Sequence, residues 1–164
     1  MTAPPVPDFW PSPTDVAALL RARTQDDQDV EVGDWTDTTR PTVDQVIDLI
    51  ARAAALVSMR TGALDALPCA NADSIREATG YAISIQTAML IELSYYPEQV
   101  DTPRSAYEHY RDLYAQTLDE LLRGIESCWA AGAGGEPQPE GVPESPSWFF
   151  MPDCGGLVGW RTRW

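Results

Sequence analysis

Any acid–base chemistry in this chain would have to be built around one side chain, because His109, between Glu108 and Tyr110, is its single histidine. Histidine titrates near neutrality and is the commonest general base. A lone one on a helical stretch, with no nucleophile or orienting carboxylate in a recognisable pattern, reads as an ordinary surface or half-buried side chain. No serine stands in a G-x-S-x-G elbow, no glycine loop precedes a helix in phosphate-binding form, and no H-E-x-x-H pair occurs. The carboxylates Asp26, Asp27, Asp29, Glu31 and Asp34 invite comparison with a calcium loop. Asp27 and Asp29 are followed by Glu31 and Val32, however, with Gly33 one place late for D-x-[DN]-x-[DN]-G. They read as a solvated acidic loop. Tyr95, Tyr96, Tyr107, Tyr110 and Tyr114 could line a pocket, but their helical spacing suits the rim of a helix–helix interface better. Cys69, Cys128 and Cys154 fit no zinc or redox spacing and are expected to be small reduced hydrophobes. The expectation is a protein that is not an enzyme, with no catalytic residue, cofactor or metal.

Composition points the same way. The chain has 164 residues, enough for one domain with arms or tails, and 44% of them are hydrophobic, which is ordinary for a folded protein. Its 25 acidic residues outnumber its 11 basic ones, all of them arginine, for a formal net charge of −14. Such a surface repels phosphate, and the arginines form no stripe that could follow a nucleic-acid backbone. No apolar run approaches the roughly 20 residues of a membrane span. The opening MTAPPVPDFW lacks the basic start and apolar stretch of a secretory signal, so synthesis in the cytoplasm of the producing cell is expected.

The elements that would hold these residues are helical. Residues 1–13 carry Pro4, Pro5, Pro7, Pro11 and Pro13 and read as an extended arm, with Phe9 and Trp10 tucked under the first helix or against a neighbour. Thr14 is the expected cap of a helix running to about Arg23. The polar stretch from Thr24 to Arg40 suits a hairpin or folded loop. Thr42 and Gln45 form a capping box for a second helix, with Val43, Val46, Ile47, Ile50, Ala53, Ala54 and Val57 at helical spacing and an end near Gly62. Ser74 and Glu77 form another, opening a third helix. Between Tyr81 and Tyr96 its only formal charge is Glu92, so that helix belongs in the middle of the domain. Pro97 ends it. Thr102 caps a fourth helix with Pro103 at its first position, fading at Gly132. The reading is an all-α bundle of about four helices over 14–131, a Gly/Pro/Glu linker over 132–147, and a tail over 148–164.

That tail is not polar. It holds half of the six tryptophans, Trp148, Trp160 and Trp164, beside Phe149, Phe150, Arg161 and Arg163. Each buried Trp or Phe removes apolar area worth about 2–3 kcal/mol, and such a surface left exposed would aggregate. It either folds back on its own bundle or crosses the linker to dock on another subunit. Roughly fifteen linker residues span several tens of ångströms, which favours docking, with the tail aromatics and arginines as interface anchors. Phe9 and Trp10 are a second candidate interface.

Several stretches together resemble the head-to-tail adaptor (connector) proteins of tailed bacteriophages that infect actinobacteria. These are Trp10-Pro11 with Thr14-Asp15-Val16 and Leu19-Leu20-Arg21-Ala22-Arg23-Thr24; Gly33-Asp34-Trp35-Thr36-Asp37; Thr39-Arg40-Pro41-Thr42 before Gln45-Val46 and Ile50; Ala78-Thr79; and Tyr95-Tyr96-Pro97-Glu98-Gln99. The resemblance covers about residues 10–130. It implies a structural virion protein of the neck, at the portal vertex, in which helical subunits form a twelvefold ring. Such a ring joins the portal protein to the next tail-completion or tail-terminator protein, and DNA passes through its lumen without sequence-specific binding. The resemblance further implies a C-terminal arm that grips the portal; an acidic lumen would give the net charge a purpose. The bottom-up alternative is a different virion or host interaction module built on the same bundle.

Overall fold

A computed structural model describes residues 6–100 and 105–133, all within a compact unit spanning Met1–Gly134; a second unit, Gly135–Trp164, lies outside the described residues. The fold is all-α. Helix α1 spans Pro13–Leu19 and is followed by a 3-10 turn over Arg21–Arg23; α2 spans Val43–Thr61, α3 Ala72–Tyr95, the single-turn α4 Pro97–Val100, and α5 Ala106–Ala133. No helix among the described residues is long and apolar enough to cross a membrane.

Helix α3 is the axle, packed by α5, α2 and α1. Its sequence explains why: Ala82, Ile83, Ile85, Ala88 and Ile91 are fully buried, and they point in several directions around the helix. Their polar companions Thr79, Ser84 and Thr87 are buried too, each hydroxyl donating to the carbonyl four residues back at 2.8–3.1 Å. Helix α2 presents the one-sided pattern expected of an outer helix, burying Val46, Leu49, Ile50, Ala53, Ala54 and Val57. Helix α5 buries Leu118, Leu121, Ile125 and Cys128.

Helix ends depart from expectation in instructive ways. The cap of α1 is Ser12, not Thr14: Asp15 Oδ2 accepts from the Ser12 amide at 2.8 Å while Ser12 Oγ accepts from the Asp15 amide at 3.3 Å. Proline at the first helical position favours this earlier start, and Thr14 donates instead to Asp34 at 3.1 Å. The helix also ends at Leu19, tightening into the 3-10 turn before Arg23. The Thr42–Gln45 box stands as read, with Gln45 Oε1 accepting from the Thr42 amide at 2.9 Å, and Gly62 closes α2 at φ 71°. Helix α3 begins before the Ser74–Glu77 pair, capped in position by Asn71. Thr102 and Pro103 lie outside the described residues; Ser105 accepts from the Glu108 amide through its Oγ at 3.1 Å and so caps α5.

The stretch from Thr24 to Arg40 is a folded loop. Asp26 organises its tip, accepting from the amides of Gln28 and Val30 at 2.9 Å each, and Asp29 turns the chain at φ 60°. One antiparallel bridge joins Gln25 to Glu31. Trp35 pins the loop to the core, buried with its indole N–H unpaired. Thr39 then bonds to the Thr36 and Pro41 carbonyls at 2.9 and 2.8 Å, ahead of a cis Arg40–Pro41 peptide and the start of α2.

The cysteines correct the expectation of free thiols. Cys69 and Cys128 form a disulfide, with Cα atoms 5.1 Å apart and a sequence separation of 59. Their spacing matches no motif because the fold, and not a local turn, brings them together: antiparallel α3 and α5 set the residues before α3 beside the last turns of α5. Gly132 seals the same corner, since a Cβ there would overlap the Pro68 ring. Closing a loop of this length removes about 4 kcal/mol of unfolded-chain entropy in the loop-closure model. Reduction, or Cys128→Ser, is therefore expected to lower the thermal midpoint; a melt indifferent to reductant would show the bond unimportant to stability.

Candidate functional site

Glu92 lies near the C-terminal end of α3, 1% exposed, among isoleucines. A carboxylate there survives only if its charge is met. Arg23, delivered by the 3-10 turn, meets it in bidentate form, Nε to Oε1 and a terminal guanidinium nitrogen to Oε2, both at 2.9 Å. The guanidinium also lies 4.0 Å from the ring centroid of Tyr96. Tyr96 in turn donates to the Arg40 carbonyl at 2.8 Å, and Tyr110 on α5 donates to the Leu19 carbonyl at 2.6 Å. The cluster thus ties the N-terminal segment, the loop before α2, α3 and α5 at one end of α3.

Burial raises the phenol pKa of Tyr96 and Tyr110, with Glu92 adding to it and Arg23 opposing; burial likewise raises Tyr114. The phenols stay protonated and remain donors. Tyr95, Tyr96, Tyr110 and Tyr114 all pack against the core, and Tyr107 is half-buried, so the tyrosines are packing residues at helix contacts. His109 is exposed, its ring tilted 57° to that of Tyr110 at 5.7 Å. The acidic loop spends Asp26 and Asp34 on local amides and hydroxyls, and among the described residues no group of three or more His, Cys, Asp or Glu could hold a metal ion.

Phe9 and Trp10 are half-buried and pack on the protein's own core. The Phe9 carbonyl lies so close to Gly80 of α3 that a Cβ there would overlap it. An open groove of about 720 Å³ runs between Val6–Phe9 of the arm and Asp65, Asp73, Arg76 and Glu77. Arg76 is already engaged, with Asp73 at 2.6 Å and the Leu64 carbonyl at 3.2 Å. Trp148, Phe149, Phe150, Trp160, Arg161, Arg163 and Trp164 lie outside the described residues. Among the described residues the arrangement is a set of helices braced at one end of α3 by the Arg23–Glu92 pair and its tyrosines.

Sequence reasoning missed the Arg23–Glu92 pair, although its signal was present. One carboxylate in an otherwise uncharged run predicted to be central requires a buried cation. Which of eleven arginines supplies it depends on the fold. No family model, curated protein or solved structure matches the chain.

Two outcomes follow. Glu92→Gln, which removes the carboxylate charge facing Arg23, is expected to cost about 3–5 kcal/mol in denaturant unfolding, whereas Arg23→Met with Glu92→Leu costs less than the sum of the two single changes. Additive losses would show the two groups uncoupled. Gly80→Ala should loosen the arm, read as faster amide exchange over residues 7–12; unchanged exchange would mean that the Phe9 contact is not maintained in solution.

Proposed function

We propose that the protein is a structural adaptor of a phage neck: a helical subunit of a ring that joins the portal to the tail-completion proteins, held on the portal by its C-terminal arm. The observation that carries this reading is the aromatic segment Trp148–Trp164 beyond a Gly/Pro/Glu linker, in a chain that otherwise keeps its surface acidic. An anchor of Trp, Phe and Arg is the composition of an interface hot spot. The resemblance of residues 10–130 to adaptors of actinobacterial phages names the acceptor. A braced all-α body suits a part that transmits load and performs no chemistry. The net charge of −14 suits a channel through which DNA slides without sticking. A disulfide also suits a particle that leaves the reducing interior of its host.

The test is co-assembly with portal rings, scored by sedimentation. Full-length protein is expected to co-sediment, and Trp148→Ala with Phe149→Ala and Phe150→Ala to weaken binding at least about tenfold. Binding by that variant and by a chain ending at Gly134 as tight as that of the unaltered full-length protein would remove the arm from the interface.

A further inference from the structure

The outer face of α2 carries an apolar row that no part of the described fold covers. Ile47, Ala51, Ala55 and Met59 follow one another at steps of four, all exposed, with Met59 at 83%. Beside them runs a second row at the same step: Asp44, Asp48, Arg52, Leu56 and Arg60, also exposed. Rows four residues apart form the ridges along which helices most often pack. The other large exposed apolar side chains, including Val30, Tyr81, Leu93 and Trp129, are scattered over separate elements.

The apolar row, and the ends of the charged row, are self-complementary when read in opposite directions. With a two-fold axis midway between Ala51 and Ala55, Ala51 faces Ala55 of a second copy and Ile47 faces Met59. Small residues thus sit where the helices cross, and large ones fill the space to either side. In the same register Arg60 falls between Asp44 and Asp48 of the other copy, about 3 Å along the axis from each position. The row is acidic at its N-terminal end and basic at its C-terminal end, so an antiparallel pair joins unlike charges at both ends of the contact, with Arg52 beside its own counterpart near the axis, where its long side chain can turn to solvent. Neither Arg52 nor Arg60 makes a salt bridge within the described residues, although the positive charge of Arg60 acts on the Tyr114 phenol of α5.

We infer that the outer face of α2 is a docking surface for a second copy of this chain, packed antiparallel and isologously through Ile47, Ala51, Ala55 and Met59 and latched by Arg60 to Asp44 and Asp48. An isologous contact closes on itself. It therefore belongs to the free protein, and it goes beyond the adaptor reading without depending on it. One helix per copy puts the contact at the small end of specific interfaces, so dissociation on dilution is expected.

The test is sedimentation velocity on the purified full-length protein, without portal, over a wide concentration series. A monomer–dimer equilibrium is expected. Ala55→Glu, or Arg60→Asp, should weaken it by about tenfold or more, with helicity and thermal midpoint monitored in parallel because these side chains are exposed. Combining Arg60→Asp with Asp44→Arg and Asp48→Arg should restore dimerisation, since only opposed helices exchange these charges. A monomer at every concentration overturns the inference. So does an assembly of any size that ignores Ala55→Glu and Arg60→Asp, or one lost only on Trp148→Ala. Portal co-assembly reads the adaptor role separately, so either idea can fail alone.

Discussion

The fold depends on keeping one carboxylate neutralised in the stretch of α3 from Tyr81 to Tyr95, which carries no other formal charge. Glu92 sits on α3, the element against which α1, α2 and α5 pack. An unpaired charge there would be costly enough to undo much of what the surrounding isoleucines gain. Arg23 can answer it only if the chain after α1 tightens into a 3-10 turn and lies across the end of α3. That requirement places Leu19 where Tyr110 can bond to it and sets Tyr96 beneath the guanidinium and in reach of Arg40. A bidentate pair is directional as well as strong. It selects one docking of the N-terminal segment among the many that apolar packing alone would tolerate.

The loop from Thr24 to Arg40 completes this logic from the outside. Its residues are too polar to form part of the core, so it is ordered by local bonds: Asp26 to two amides, Thr39 to two carbonyls, and Asp34 to Thr14 and the Trp35 amide. Trp35 is its one apolar residue in the core, beside the buried hydroxyls of Thr24 and Thr39. Acidic residues that look like a ligand set in one dimension are turn-formers in three.

The helical body was legible because its signals are local and repeated. The Thr42–Gln45 cap, the stop at Gly62 and the central placement of α3 follow from periodicity and capping chemistry, and the loop character of residues 24–40 follows from polarity. Helix starts were less legible where two candidates lay close together. Ser12 outcompetes Thr14 because Pro13 can occupy the first turn while Asp15 closes the box, and Ser105 caps α5 although Thr102 lies just upstream. What could not be read was everything made by distant partners. Cys69 and Cys128, Arg23 and Glu92, and Phe9 over Gly80 are joined only once antiparallel helices fix which residues are neighbours. The apolar row on α2 was visible as Ile47 among residues at helical spacing, but only the burial of the opposite face shows that the row is left outside.

The disulfide also defines a route for force. Cys128 lies one and a half turns from the end of α5, where the chain departs toward Gly135–Trp164, and Cys69 lies immediately before α3. Tension applied through the C-terminal arm frays at most the last turns of α5 before reaching Cys128. From there the covalent link carries it directly to Cys69 and on toward α2. The covalent path thereby bypasses the closed segment between the two cysteines, which contains all of α3 and most of α5. The disulfide thus shortens the covalent route from the end of α5 to the end of α2 by the whole length of that segment.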